Sequence, residues 1–204
     1  MISLQDDVLA ALRGATASRH ALLDQAMPLA RPAPTLGDYR EHLCLLRPWL
    51  ASIAHAAGRH GDGPQDPRLL AQVDRLPPID ADLADLANLD DVSGCAVRST
   101  LTRAVFPGLD GGAPWRWGVA YVAEGSQLGG AVLYRRLAAS LAPHPLRYLQ
   151  GEGPPGPRWQ QFLSRLRAEV SAGADIAQAC AGACAAFDAL IAHLPQQARQ
   201  EEAA

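Results

Sequence analysis

Valine, isoleucine and threonine, the residues that fill strands, are scarce in this chain, while alanine and leucine dominate it. Alanine and leucine are strong helix formers, whereas β-branched residues favour strands. The imbalance leaves little material for a sheet and predicts an all-α fold. With 204 residues, 49% of them apolar, the chain is long enough to bury a proper core in one domain over 1–204. The tail from about residue 196 reads as frayed.

Charge narrows the function. There are 18 basic and 21 acidic residues, a net charge of -3, which argues against a nucleic-acid binder. Lysine is absent, so any anionic ligand must be held by arginine. No apolar stretch reaches the roughly 20 residues of a membrane span. The N-terminus lacks the basic and apolar regions of a signal peptide, and the expectation is a cytoplasmic protein. The cysteines, Cys44, Cys95, Cys180 and Cys184, lack the further ligands of a zinc site and read as small buried residues.

Apolar spacing places the helices. Leu9, Leu12, Thr16, His20, Leu23 and Met27 share one face of a helix capped by Asp6 or Asp7. Thr35 is the expected N-cap of a second helix from Leu36 to Arg59, with a kink or break at Pro48. Further helices are predicted over Pro67–Arg75, Ile79–Leu89, Val92–Val105, Trp115–Leu141, Arg158–Ser171 and Asp175–Leu194. A long Pro/Gly-rich link covers 143–157.

Two segments stand out. In Tyr121-Val122-Ala123-Glu124-Gly125-Ser126-Gln127-Leu128-Gly129-Gly130, three glycines sit inside a helical pattern. Each costs roughly 1 kcal/mol relative to alanine, so something requires the bare backbone. Gly125 and Gly129 share a face, and Gly130 widens the gap. Such a face suits either close helix packing or the approach of a flat ligand. A phosphate-binding turn fits poorly, because the spacing is wrong and no lysine exists. The second segment, Leu12-Arg13-Gly14-Ala15-Thr16-Ala17-Ser18-Arg19-His20, puts a cation two turns before an imidazole on nearly the same face. A lone histidine there suits a core position; with Arg13, it also suits a metal-bearing ring with carboxylates at its edge.

Together the two segments resemble the heme oxygenase family, its bacterial branch in particular. Leu12 to Asp24 matches L-[RK]-x-x-T-x-x-x-H-x-x-[LV]-D, and Tyr121 to Leu133 matches Y-V-x-E-G-S-x-L-G-[GA]-x-x-L, position for position. Weaker likenesses at Tyr39–Leu50, Arg68–Leu86, Arg147–Leu149 and Trp159–Phe162 extend the resemblance over nearly the whole chain.

The resemblance implies an all-helical fold with heme held between a proximal and a distal helix. It implies His20 as the iron ligand and Gly125, Gly129 and Gly130 as the backbone wall over the other face. Arg13, Tyr121 and Arg136 fall where family members meet the heme edge, and Arg31, Arg135 and Arg165 are further cations. Ser126 stands where mammalian members carry an aspartate that orders water. The implied activity is oxidative opening of heme, as both substrate and cofactor, to biliverdin with release of iron and CO. The implied partners are O2 and a ferredoxin- or flavodoxin-type donor with its reductase. The product would feed iron supply or a bilin-binding photoreceptor. The alternatives are a heme carrier or sensor without turnover and a non-heme enzyme of the same fold. His42, His55, His60, His144 and His193 match no motif and read as surface or structural.

Overall fold

The structure, a computed structural model, describes residues 7–88 and 111–194. The helix expected over Val92–Val105, Cys95 and the tail from residue 196 lie outside the described residues. Every regular element within them is helical: α1 Val8–Ala26, α2 Leu36–Ala57, α3 Leu76–Asp85, α4 Ala113–Leu137, α5 Arg147–Gln150, α6 Pro155–Glu169 and α7 Gly173–Ile191.

Local chemistry explains the starts. Asp7 accepts from the Leu9 amide at 3.1 Å. Thr35 and Asp38 form a reciprocal capping box. Pro77–Pro78 and Pro114 occupy first-turn positions, where a missing N–H costs nothing.

Several expectations are corrected. Of the kink or break expected at Pro48, the break does not occur: α2 runs on through it, because one lost backbone bond is outweighed by the burial of Leu43, Leu45, Leu46, Trp49 and Leu50 around it. Pro67–Arg75 is not a helix. Its first residues make one turn on the Asp66 carbonyl, and the Gln72 side chain then donates to the carbonyls of Pro64 and Leu70. α3 starts three residues earlier than expected, and α4 ends at Leu137 instead of Leu141. The 143–157 link contains α5, entered through Leu146 in the left-handed region at φ 51°. Cys44, Cys180 and Cys184 are half-buried, not fully buried as expected.

α7 is long and apolar enough to cross a membrane, with mean hydropathy 1.3, where no such stretch was expected. It lies instead against α4 and α1, burying Ile176, Ala179, Ala183, Ala186, Phe187 and Leu190. Among the described residues the α4–α7 interface is the most extensive, and glycine makes it possible. A Cβ on Gly118 would stand 1.8 Å from the Ala179 carbonyl oxygen, and one on Gly182 2.1 Å from that of Trp115. The two backbones touch, which only glycine permits.

A second anchor is Asp82, fully buried on α3. It accepts from the Tyr39 hydroxyl of α2 at 2.6 Å, the Tyr148 amide at 3.0 Å and Arg147 at 2.9 Å. One carboxylate thereby ties α2, α3 and α5 together. His144 and Asp85 stand nearby, with Arg147 already supplying the cation between the two carboxylates.

His42, buried on α2, has no partner for its Nδ1, and burial lowers its pKa from 6.5 to about 4. Between those values the unfolded chain binds a proton that the folded one refuses. Stability is therefore full above about pH 6.5 and falls as the pH drops toward 4, by up to about 3 kcal/mol. Urea unfolding at pH 7.5 and 4.5 should show this loss, and His42→Leu should remove most of it. An equal pH dependence in the variant would assign the loss to other groups.

Candidate functional site

One face of α4 changes character along its length. Gly118, Gly125, Gly129, Val132 and Arg136 are spaced by seven, four, three and four residues, so they share that face. At Gly118 it is closed by α7. Beyond that it opens. A Cβ on Gly125 would meet the Trp159 ring of α6 at 3.7 Å, an ordinary contact, and one on Gly129 would meet nothing within 4 Å. Val132, one turn further, is 55% exposed. Packing therefore accounts for Gly118 but not for Gly129. Gly130 is buried and turned aside: a Cβ on it would meet Leu149 of α5 at 3.9 Å, so it faces the support of the helix and not the open face.

α1 supplies the imidazole. Leu12, Thr16 and Leu23 are buried, but His20, expected on the same apolar stripe, has a side chain 63% exposed. It sits at the rim of the α1–α7 contact, its ring 6.0 Å from that of Phe187. Asp24, one turn on, holds its Nδ1 at 2.8 Å. With Nδ1 held by a carboxylate, Nε2 is the nitrogen left for a ligand, and such a carboxylate partner is what orients a metal-ligating histidine. Arg19 anchors this part of α1 to α7 through two bonds to Asp188, at 2.7 and 3.0 Å.

Charge lies near both ends of the open face. Burial pushes the Tyr121 phenol up, while a hydrogen bond and the positive charge from Arg13 of α1 pull the other way. Arg13 and Tyr121 are thus brought together across the two helices. At the other end Arg136 donates to the Leu29 carbonyl, which fixes its guanidinium beside the turn after α1. Of the remaining expected cations, Arg31 is committed to Asp38 and Glu41, and Arg135 and Arg165 are exposed. From Tyr121 to Arg136 the face runs about 22 Å along the helix axis.

Ser126 turns its hydroxyl back to the Ala123 carbonyl at 2.8 Å. The Gln127 amide donates to it at 3.4 Å and to the Tyr148 hydroxyl at 3.2 Å. Two residues of the region stand within sequence motifs that give them no role. Trp159 backs Gly125 and stacks on Phe162 with ring centroids 5.5 Å apart. Glu124, buried, is held by Arg158 at 2.6 and 2.8 Å and by Arg75 at 2.8 Å. Burial alone would raise the Glu124 carboxyl, but the two guanidiniums outweigh it and hold it below the usual carboxylate range. A glutamate in the middle of an apolar helix was the available signal.

The donor set fits a flat, carboxylate-bearing metallocycle. The chain offers one exposed imidazole fixed by a carboxylate on α1 and, on α4, an uncovered glycine backbone with an exposed valine and arginines near its ends. Comparison with known proteins points the same way. The heme oxygenase family model matches residues 6–195. A heme oxygenase of Xanthomonas campestris pv. campestris (strain 8004) is 43% identical over 89 residues, 41% of this chain and 52% of that protein. The chain thus matches about half the length of this curated relative. The family match covers nearly all of the sequence and includes both motif-bearing helices, so the chain belongs to the heme oxygenase family.

Proposed function

We propose that this protein is a heme oxygenase, which takes heme as substrate and opens it to biliverdin with release of iron and CO. The observation that carries the reading is Gly129, a mid-helix glycine whose missing side chain no neighbour requires. Its conformational cost is explained by a ligand that lies against the backbone.

His20 would hold the iron through Nε2, with Asp24 fixing the ring. Arg13 and Tyr121 at one end and Arg136 at the other would receive the propionates. The α4 backbone at Gly125 and Gly129 would limit the space over the opposite face and keep bulk water out. Heme, once bound, supplies the redox chemistry with O2. Electrons come from an external donor of the ferredoxin or flavodoxin type with its reductase.

Ser126 favours a second reading, a heme carrier without turnover, because its hydroxyl is spent on its own helix. One experiment decides. Hemin is titrated into the protein and followed in the Soret region, then reductant and O2 are supplied and the pigment is extracted. Saturable binding with biliverdin formation supports the enzyme, and binding without biliverdin supports the carrier. No saturable binding overturns both.

A further inference from the structure

On the side of α4 opposite Gly129, Gln127 and Ala131 line a cavity of about 260 Å³ against α5, and Ala120, Ala123 and Glu124 line another of about 440 Å³ against α2. Both are bordered by Val73, Asp74, Arg75 and Arg158, so they meet at the Glu124 cluster. Two guanidiniums converge there on one buried carboxylate, which leaves the cluster one positive charge in excess. Arg158 spends three of its five N–H donors, two on Glu124 and one on the Ala71 carbonyl at 3.0 Å. Arg75 is bound to Glu124 through Nη2, and its side chain is only 14% exposed. Buried positive charge of this kind is costly unless an anion or water shares it.

The smaller cavity adds an apolar surface to that charge. Val73, Pro78, Leu149 and Pro154 line it, and Val73 is one of two large hydrophobic side chains exposed among the described residues. Its rim also carries Asp74 and Glu152, whose charges are exposed and so weakened, though not removed, by the surrounding water. Asp74 is further occupied, accepting from the Leu76 amide at 3.0 Å.

We infer that this cavity is a binding site for a small monocarboxylate with a short apolar chain, its carboxylate on the Arg75 side of the cluster and its chain along Val73, Pro78 and Leu149. The site lies on the other face of α4 from the proposed heme site and needs no heme. Arginine pairs with carboxylates in a planar, two-bond geometry, which makes charge and shape the selecting features.

The test uses the full, heme-free chain and sodium hexanoate, followed by titration calorimetry at fixed ionic strength, with hexanamide as the neutral control. Hexanoate should bind saturably, and hexanamide at least ten-fold more weakly. Arg75→Gln should weaken hexanoate at least ten-fold. Ala131→Leu, which fills the cavity from α4 without touching the charges, should do the same and serves if Arg75→Gln does not fold. The inference is overturned if hexanoate shows no saturable binding, if the amide binds as well as the acid, or if a folded variant of either kind binds hexanoate like the wild type. The readout uses no heme, so a failure here is distinct from a failure of the hemin titration and leaves the proposed function standing.

Discussion

His20→Ala is expected to abolish the heme-dependent activity while leaving the folded protein intact. The side chain is 63% exposed, so its loss should move the stability of the heme-free protein by no more than about 0.5 kcal/mol. The ligand-field spectrum of added ferric heme should change, turnover should fall by about 100-fold or more, and imidazole in solution should restore part of both. The scale follows from the carboxylates and carbonyls that merely orient a ligating histidine, whose loss costs about 10- to 100-fold. Asp24→Ala, which frees the His20 ring without deleting it, should therefore fall between the wild type and His20→Ala. An unchanged Soret band together with unchanged turnover in His20→Ala would remove His20 from the site.

Two glycines on one face of α4 should respond to the same substitution in opposite ways. In Gly118→Ala the new Cβ meets the Ala179 carbonyl oxygen at 1.8 Å. That neighbour is backbone in the middle of α7 and cannot rotate away, so α4 and α7 must separate. Overpacking typically costs 1–3 kcal/mol, and here we expect at least about 3 kcal/mol or failure to fold. Gly129→Ala places its Cβ in open space and should stabilise the heme-free protein by up to about 1 kcal/mol. It should nevertheless weaken heme binding and lower biliverdin yield. Thermal melts of both variants, with and without hemin, separate the cases. A destabilised heme-free Gly129→Ala with unchanged biliverdin yield would make Gly129 a packing residue like Gly118.

What the sequence made legible was local. Helix class followed from propensity, and the starts of α1 and α2 followed from Asp7 and Thr35, whose side chains bond amides two and three residues away. The His20 and Gly129 motifs could be read because each is a pattern within one helix. Where side chains or distant strands of chain compete with the local signal, the reading failed. Gln72 diverts the segment after Pro67 from helix, and Leu146 takes a left-handed conformation that opens α5.

Tertiary structure alone decided what each glycine is for. Gly118 and Gly129 carry the same local cost, yet one lies under a carbonyl of α7 and the other under nothing. Gly182, the partner of the first in closeness, sits in an alanine-rich run that gives no hint of it. The same holds for Asp82, whose three partners come from residues 39, 147 and 148, and for Glu124, held by residues 75 and 158. Sequence sets the backbone preferences and the capping bonds, because those act over a few residues. Which faces are covered, and which buried charge is left in excess, depends on helices brought together from far along the chain, and only their packing settles it.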